Sequence, residues 1–163
     1  VILAGTFSKL LFPSLRLAYV VLPPQLVDGF TRLVSLTARH ANSLSQAVLA
    51  DFIEQGHFDR HLRRMRKLYA ARAEAFADAA ERHWQELIEV PPIRAGLDVV
   101  CRLHGIDELA AQARLAEAGI DVMPLQLYGV KPQAPGLVMG FAPYREAAIE
   151  QAAREVARLL RRR

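Results

Sequence analysis

The stretch Gly5-Thr6-Phe7-Ser8-Lys9 continues as Leu10-Leu11-Phe12-Pro13-Ser14-Leu15-Arg16-Leu17-Ala18-Tyr19 and holds the residue types best suited to chemistry. Lys9 follows an apolar run, in a turn lined by Gly5, Thr6, Ser8 and Ser14. In a partly desolvated pocket a lysine loses proton affinity and becomes a usable amine nucleophile. Small hydroxyl residues can donate hydrogen bonds to a phosphate. Arg16, seven residues after Lys9, can pair bidentately with the same phosphate. One amine, two or three hydroxyls and one guanidinium suit an aldehyde that carries a phosphate, and pyridoxal phosphate is such a molecule. The Gly-x4-Gly-Lys-Ser/Thr spacing of a nucleotide-binding P-loop is absent. Spacing alone describes an ordinary surface lysine at a strand end equally well.

Positioning these residues requires strands on either side. Residues 1–4 form a continuous apolar run of the kind buried in a parallel sheet, and residues 15–22 read as a second strand that Arg16 enters. A buried strand needs neighbours, so further sequence is expected upstream of Val1. Pro23-Pro24 ends the second strand, and Pro24 suits the first turn of a helix over residues 25–38, with Leu26, Phe30, Leu33 and Leu36 at helical spacing. Ser43 is placed to cap a helix through residue 55, with Gln46 three residues on as in a capping box and Gly56 as the stop.

A long helix is expected over residues 57–85. Phe58, Leu62, Met65, Tyr69, Phe76, Ala80 and Trp84 form a stripe that reads as core packing. Pro91-Pro92 marks a boundary. Beyond it the pattern is α+β: a strand over 96–103, a helix over 107–118 stopped by Gly119, a strand over 120–123, a loop with Pro132 and Pro135, and a strand over 137–142. A last helix over 145–160 places Ile149, Ala152, Val156 and Leu159 on one face.

The bulk composition sets outer limits. Apolar residues make up 52% of the chain and charged residues 23%, as in globular domains. The apolar opening is interrupted by Lys9, Arg16 and prolines, which makes it a poor membrane span, and it lacks the pattern of a signal peptide. The net charge of +4 and pI near 9.6 come mostly from arginine, much of it within residues 60–72 and 161–163, and read as a solvated helix face and a tail. Cys101 has no cysteine to pair with, which suits a cytoplasmic location.

Thr6-Phe7-Ser8-Lys9 with Arg16 resembles the Ser-x-Ser-Lys…Arg signature of class I/II aminotransferases of fold-type I, which depend on pyridoxal phosphate. The resemblance implies that Lys9 is the Schiff-base lysine, Thr6 a phosphate ligand, Arg16 the phosphate arginine and Ser8 a further cofactor-binding residue. Gly-Thr-Phe-Ser-Lys followed by Leu-Phe-Pro-Ser-Leu-Arg-Leu-Ala-Tyr-Val-Val-Leu-Pro is most similar to the regulator branch called MocR. These are GntR-type transcription factors with an N-terminal winged helix-turn-helix and a C-terminal aminotransferase-like domain. Arg39-His40, the run from Ala50 to Phe58, Arg60-His61-Leu62-Arg63-Arg64-Met65-Arg66, Tyr69, Ala95-Gly96-Leu97, Pro124-Leu125 and the run from Gly136 to Ala142 fit the same branch. The resemblance covers essentially the whole chain.

The implied fold is α/β, the C-terminal half of a fold-type I aminotransferase. Residues 1–56 would end the large cofactor-binding domain, 57–90 would form the linking helix and connection, and 91–163 the small α+β domain. Catalytic members carry an arginine for the substrate α-carboxylate in the strand before the last helix, where this chain has Val138. That departure suits a sensor better than a transaminase. The family's aspartate for the pyridine nitrogen, its ring-stacking aromatic and the DNA-binding domain lie upstream of the lysine. The 163-residue chain alone is therefore not expected to turn over substrate.

The implied partners are a second copy in a homodimer, a small amine or amino-acid effector, and DNA through the winged-helix domain, with no membrane. Tyr128 falls where family members place an active-site loop and is a candidate for the effector pocket, though an ordinary loop aromatic fits as well. His57 and His61, four apart, are compatible with zinc, but no further ligands cluster near them and no metal site is expected. Cys101 reads as a buried small hydrophobe. Asp98 has no role beyond strand alternation. Three functions follow: the sensing part of a MocR-type regulator, a fragment of an amino-acid transaminase, and a dimerisation remnant without cofactor.

Overall fold

The computed structural model describes residues 1–37, 42–131 and 133–161. The expected end of the first helix at residue 38, the Arg39-His40 pair, Pro132 and the last two arginines lie outside the described residues. The chain divides into two compact units, Val1–Met65 and Arg66–Arg163.

In the first unit, β1 (Leu3–Thr6) pairs antiparallel with β2 (Ala18–Val21), in the register Leu3↔Val21 through Thr6↔Ala18. β1 has the expected length but starts two residues late, and β2 is shorter than the apolar run over residues 15–22 suggests. The expected pair of adjacent strands with an exposed edge is found, as a two-stranded antiparallel ladder in which Leu3, Val20 and Val21 are exposed. An apolar run reports a tendency to be covered, whereas strand direction is set by the connection. An eleven-residue turn returns the chain antiparallel to itself.

α1 (Pro24–Thr37) opens on proline as expected, but its Phe30, Leu33 and Leu36 are exposed, Leu36 to 83%. α2 (Ser43–Glu54) is capped by Asn42 rather than Ser43. The Asn42 Oδ1 accepts from the amides of Leu44 at 3.0 Å and Ser45 at 3.2 Å, so Ser43 becomes the first helical residue. After Gly56 comes α3 (His57–His83), 27 residues long and therefore about 40 Å from end to end.

The second unit is built on a four-stranded antiparallel sheet in the order β3-β4-β6-β5. These are β3 (Ile88–Glu89), β4 (Asp98–Leu103), β5 (Met123–Pro124) and β6 (Gly136–Gly140). The sequence pattern missed β3, because two residues are too few to show alternation. In β4 the inward set is Val99, Cys101 and Leu103, as a period of two requires. Across the ladder Val99 faces Met139 and Cys101 faces Leu137, so both inward pairs meet on one side. α4 (Glu108–Glu117) and α5 (Glu146–Arg161) pack with this sheet.

The core joins the end of α3 to sheet and helices: Phe76 meets Trp84 edge-on at 5.3 Å and Phe141 at 5.8 Å. Each fully buried side chain of this size contributes roughly 1.5–3 kcal/mol. The Trp84 Nε1–H donates to the Ala153 carbonyl at 2.8 Å, which satisfies the one polar atom of the indole. Along α5 the buried face is centred on Ala153, Val156, Ala157 and Leu160, with Ala152 and Leu159 at its edges.

Candidate functional site

The lysine turn is closed by its own backbone. At its base Thr6 pairs with Ala18, and the Phe7 amide donates to the Leu17 carbonyl at 3.1 Å. The Leu11 amide reaches back to the Phe7 carbonyl at 2.9 Å, so residues 7–11 make one helical-type turn with Lys9 in its middle. Pro13–Leu15 form a 3-10 turn that ends at Arg16. Arg16 lies in the left-handed region at φ 50° and ψ 34°, with its amide donating to the Pro13 carbonyl at 3.2 Å. This corrects the expectation that Arg16 enters the strand: β2 begins only at Ala18. A non-glycine residue in that conformation costs roughly 1–2 kcal/mol, and such costs cluster where a side chain must point in a particular direction.

The polar groups of the turn divide into used and unused. The Thr6 hydroxyl donates to the Leu17 carbonyl at 3.4 Å, a long bond, and accepts the Ser8 amide at 3.1 Å. Lys9 and Arg16 are exposed, and neither side chain makes an ion pair with another described residue. Among the described residues nothing desolvates Lys9 as a pocket would. Gly5 faces Tyr19 across the ladder, and a Cβ there would stand 2.4 Å from the Tyr19 ring, so a larger residue would require the ring to move.

Two residues of α3 grip the turn. Phe58 meets Phe7 edge-on with ring centroids 6.0 Å apart, and Phe7 also lies 5.7 Å from Tyr19. His61 Nε2 bonds the Leu10 carbonyl at 2.9 Å. His57 is engaged elsewhere, stacked on Phe52 and bonded to Gln55 at 3.1 Å. The two histidines are thus occupied separately, and no group of three or more metal-binding side chains is present among the described residues.

The structure thus brings Thr6, Ser8, Lys9 and Arg16 onto one turn of the first unit. Tyr128 belongs to the second unit, exposed at the end of the 3-10 turn Leu125–Tyr128. That turn is held by a residue the sequence pattern did not single out. Glu108, buried at the start of α4, accepts the amides of Leu125 at 3.1 Å, Gln126 at 3.3 Å and Gly136 at 2.9 Å. The acid that caps α4, Asp107, precedes it and accepts from Leu109 and Ala110. Val138 sits mid-β6 between Val100 and Met123. Cys101 is fully buried, and desolvation pushes its thiol up to about 12, so it packs and does not react. No described helix is long and apolar enough to cross a membrane.

An α/β chain with a lysine on a hairpin turn, a long helix and an antiparallel α+β unit has close counterparts. The chain belongs to the aminotransferase class I and II family, which matches residues 1–156. The multiple substrate aminotransferase of Thermococcus profundus superposes with a TM-score of 0.90 at 26% identity, covering 98% of this chain and 40% of that one. LysN, the α-aminoadipate aminotransferase of Thermus thermophilus, solved with N-(5'-phosphopyridoxyl)-L-leucine, gives 0.90 at 24%, covering 98% and 41%. The fold is therefore that of the fold-type I aminotransferases.

The sequence relatives narrow the class. The probable rhizopine catabolism regulatory protein MocR of Rhizobium meliloti is 43% identical over 145 residues, which is 87% of this chain and 29% of that protein. The HTH-type transcriptional regulator YdeL of Bacillus subtilis is 33% identical over 155 residues, 93% of this chain and 33% of its own length. The pyridoxine biosynthesis regulator PdxR of Corynebacterium glutamicum is 26% identical, over 95% of this chain and 34% of that one. The chain is part of an aminotransferase-like domain of the kind these regulators carry, and it spans about a third of their length.

Proposed function

We infer that this chain is the cofactor- and effector-sensing part of a MocR/GntR-type transcriptional regulator, with pyridoxal phosphate held by the Lys9 turn. The observation that carries the reading is a pair of cations, Lys9 and Arg16, that are exposed and ion-paired to no other described residue, on a turn tied by backbone bonds at Phe7, Leu11, Leu15 and Arg16. The donor set fits the group: an amine for the aldehyde, hydroxyls at Thr6 and Ser8 and a guanidinium at Arg16 for the phosphate. When bound, pyridoxal phosphate supplies an aldehyde that can take up amines. Lys9 holds that aldehyde, Arg16 and Thr6 anchor the phosphate, and Ser8 lies beside them.

Val138 supports sensing over transamination, because no guanidinium stands at the middle of β6 to grip a carboxylate. In this reading residues 1–56 end the large domain, 57–90 link, and 91–163 form the small domain. Tyr128 lines the pocket for a small amine or amino-acid effector. The full protein works as a cytoplasmic homodimer and meets DNA through a separate winged-helix domain.

The test uses the full-length protein and a pyridoxal phosphate titration followed by visible absorbance. Lys9→Ala is expected to abolish the visible band while leaving the fold intact. Arg16→Ala loses charge-assisted bonds of on the order of 1.5–3 kcal/mol, so affinity falls roughly ten- to a hundredfold while the band still forms at high cofactor. Arg16→Lys recovers part of the loss, because a point charge cannot pair bidentately. A visible band in Lys9→Ala, or parental affinity in Arg16→Ala, refutes the assignment. Amino-acid turnover by the full-length protein at transaminase rates would favour the enzyme reading instead.

A further inference from the structure

The Lys9 turn is held from outside by α3, and the two contacts bracket the lysine. Phe58 and His61 are three apart on α3 and so lie on one face of it. Phe58 packs on Phe7, two residues before Lys9, and His61 bonds the carbonyl of Leu10, one residue after it. The turn itself cannot supply that second contact. Its internal bond runs from the Leu11 amide to the Phe7 carbonyl, and the Leu10 carbonyl points away to a residue 51 positions along the chain. A carbonyl oxygen only accepts, so the imidazole must carry its hydrogen on Nε2 and donate. We propose that His61, seconded by Phe58, is a positioning residue for Lys9: it fixes the turn so that the amine is presented in one place. The proposal rests on the cofactor reading given above.

A fixed turn and a loose turn would differ in two measurable ways. The Leu11 amide would exchange faster in a loose turn, and a cofactor bound to Lys9 would have to order the turn as it binds. His61→Phe keeps a ring of similar size and removes the donor, while His61→Gln keeps a donor.

In the full-length protein without cofactor, His61→Phe is expected to speed amide exchange within residues 7–16 by roughly threefold to tenfold. Exchange in β4 and α5 should stay as in the parent. Affinity for pyridoxal phosphate should fall by a similar factor, and His61→Gln should recover most of both. If His61→Phe does not fold, Phe58→Leu tests the other half of the grip, with the same sign expected. Unchanged exchange across residues 7–16 overturns the proposal. So does faster exchange with unchanged cofactor affinity, because the grip would then hold the turn without positioning the amine. A parent protein that shows no visible band with pyridoxal phosphate overturns the cofactor reading, and the exchange result separately shows whether the grip exists.

Discussion

Removing the Glu108 carboxylate should loosen the segment that carries Tyr128. The carboxylate is buried and accepts three amides, at 2.9, 3.1 and 3.3 Å. A hydrogen bond to a charged group contributes on the order of 1.5–3 kcal/mol, and a buried donor left without a partner costs about 1–3 kcal/mol. The two shorter bonds carry most of this, and water entering the space left by truncation recovers some of it. Glu108→Ala is therefore expected to cost about 3–5 kcal/mol. Glu108→Gln keeps one acceptor oxygen but turns an NH2 toward a backbone N–H, and should cost about half as much. Urea unfolding measures the total, with a midpoint lower by roughly 1–3 M for Glu108→Ala. Amide exchange at Leu125, Gln126 and Gly136 locates it. If Glu108→Ala costs less than about 1 kcal/mol and those amides exchange as in the parent, the carboxylate is not what holds the turn.

Other expectations follow from single contacts. Glu150 bonds Arg82 at 2.7 Å, His83 at 2.8 Å and Arg154 at 2.9 Å, and these donors, Arg82 first, hold its carboxyl down at about 2 from an ordinary 4.5. A depressed acid contributes stability above its unfolded value and loses it on protonation, so the contribution should be full above pH 4.5 and fade between 4.5 and 2. Unfolding midpoints of the parent and Glu150→Gln should converge across that window, and a constant gap would refute this. At Gly136 an added Cβ would stand 2.8 Å from the Cys101 carbonyl in the backbone of the neighbouring strand. Gly136→Ala should cost roughly 1–3 kcal/mol by urea unfolding, and a neutral result would mean that β4 and β6 can part freely.

Long periodic elements were legible because their signals are local. The helices at residues 57–83 and 146–161 follow from apolar spacing, and β4 from alternation at Val99, Cys101 and Leu103. Boundaries were less so: Asn42 and Ser43 are both good caps, and only the backbone shows which of them stands outside the helix. The candidate residues Thr6, Ser8, Lys9 and Arg16 were singled out by type, spacing and the family resemblance, but the left-handed conformation of Arg16 was not, since nothing in the sequence around an arginine announces it. His61 and Glu108 act across 51 and up to 28 residues. Such partners have no periodicity, and as a ligand candidate His61 was weighed only beside His57, whereas the two bond to different partners.

The Thr6↔Ala18 pair has a consequence for the order in which the protein forms. All four candidate cofactor residues fall at or inside a loop closed by that one pair, so the chain entropy lost in gathering them is that of a short loop. Closures of this size take microseconds or less, far faster than contacts made across a domain. A two-stranded hairpin alone is only marginally stable in water, so the gathered residues would come and go. They become permanent when α3 arrives with Phe58 and His61, fifty-one residues and one slower closure later. On this order a nascent chain would assemble its cofactor groups early and lose them repeatedly, and capture of pyridoxal phosphate would wait on the helix.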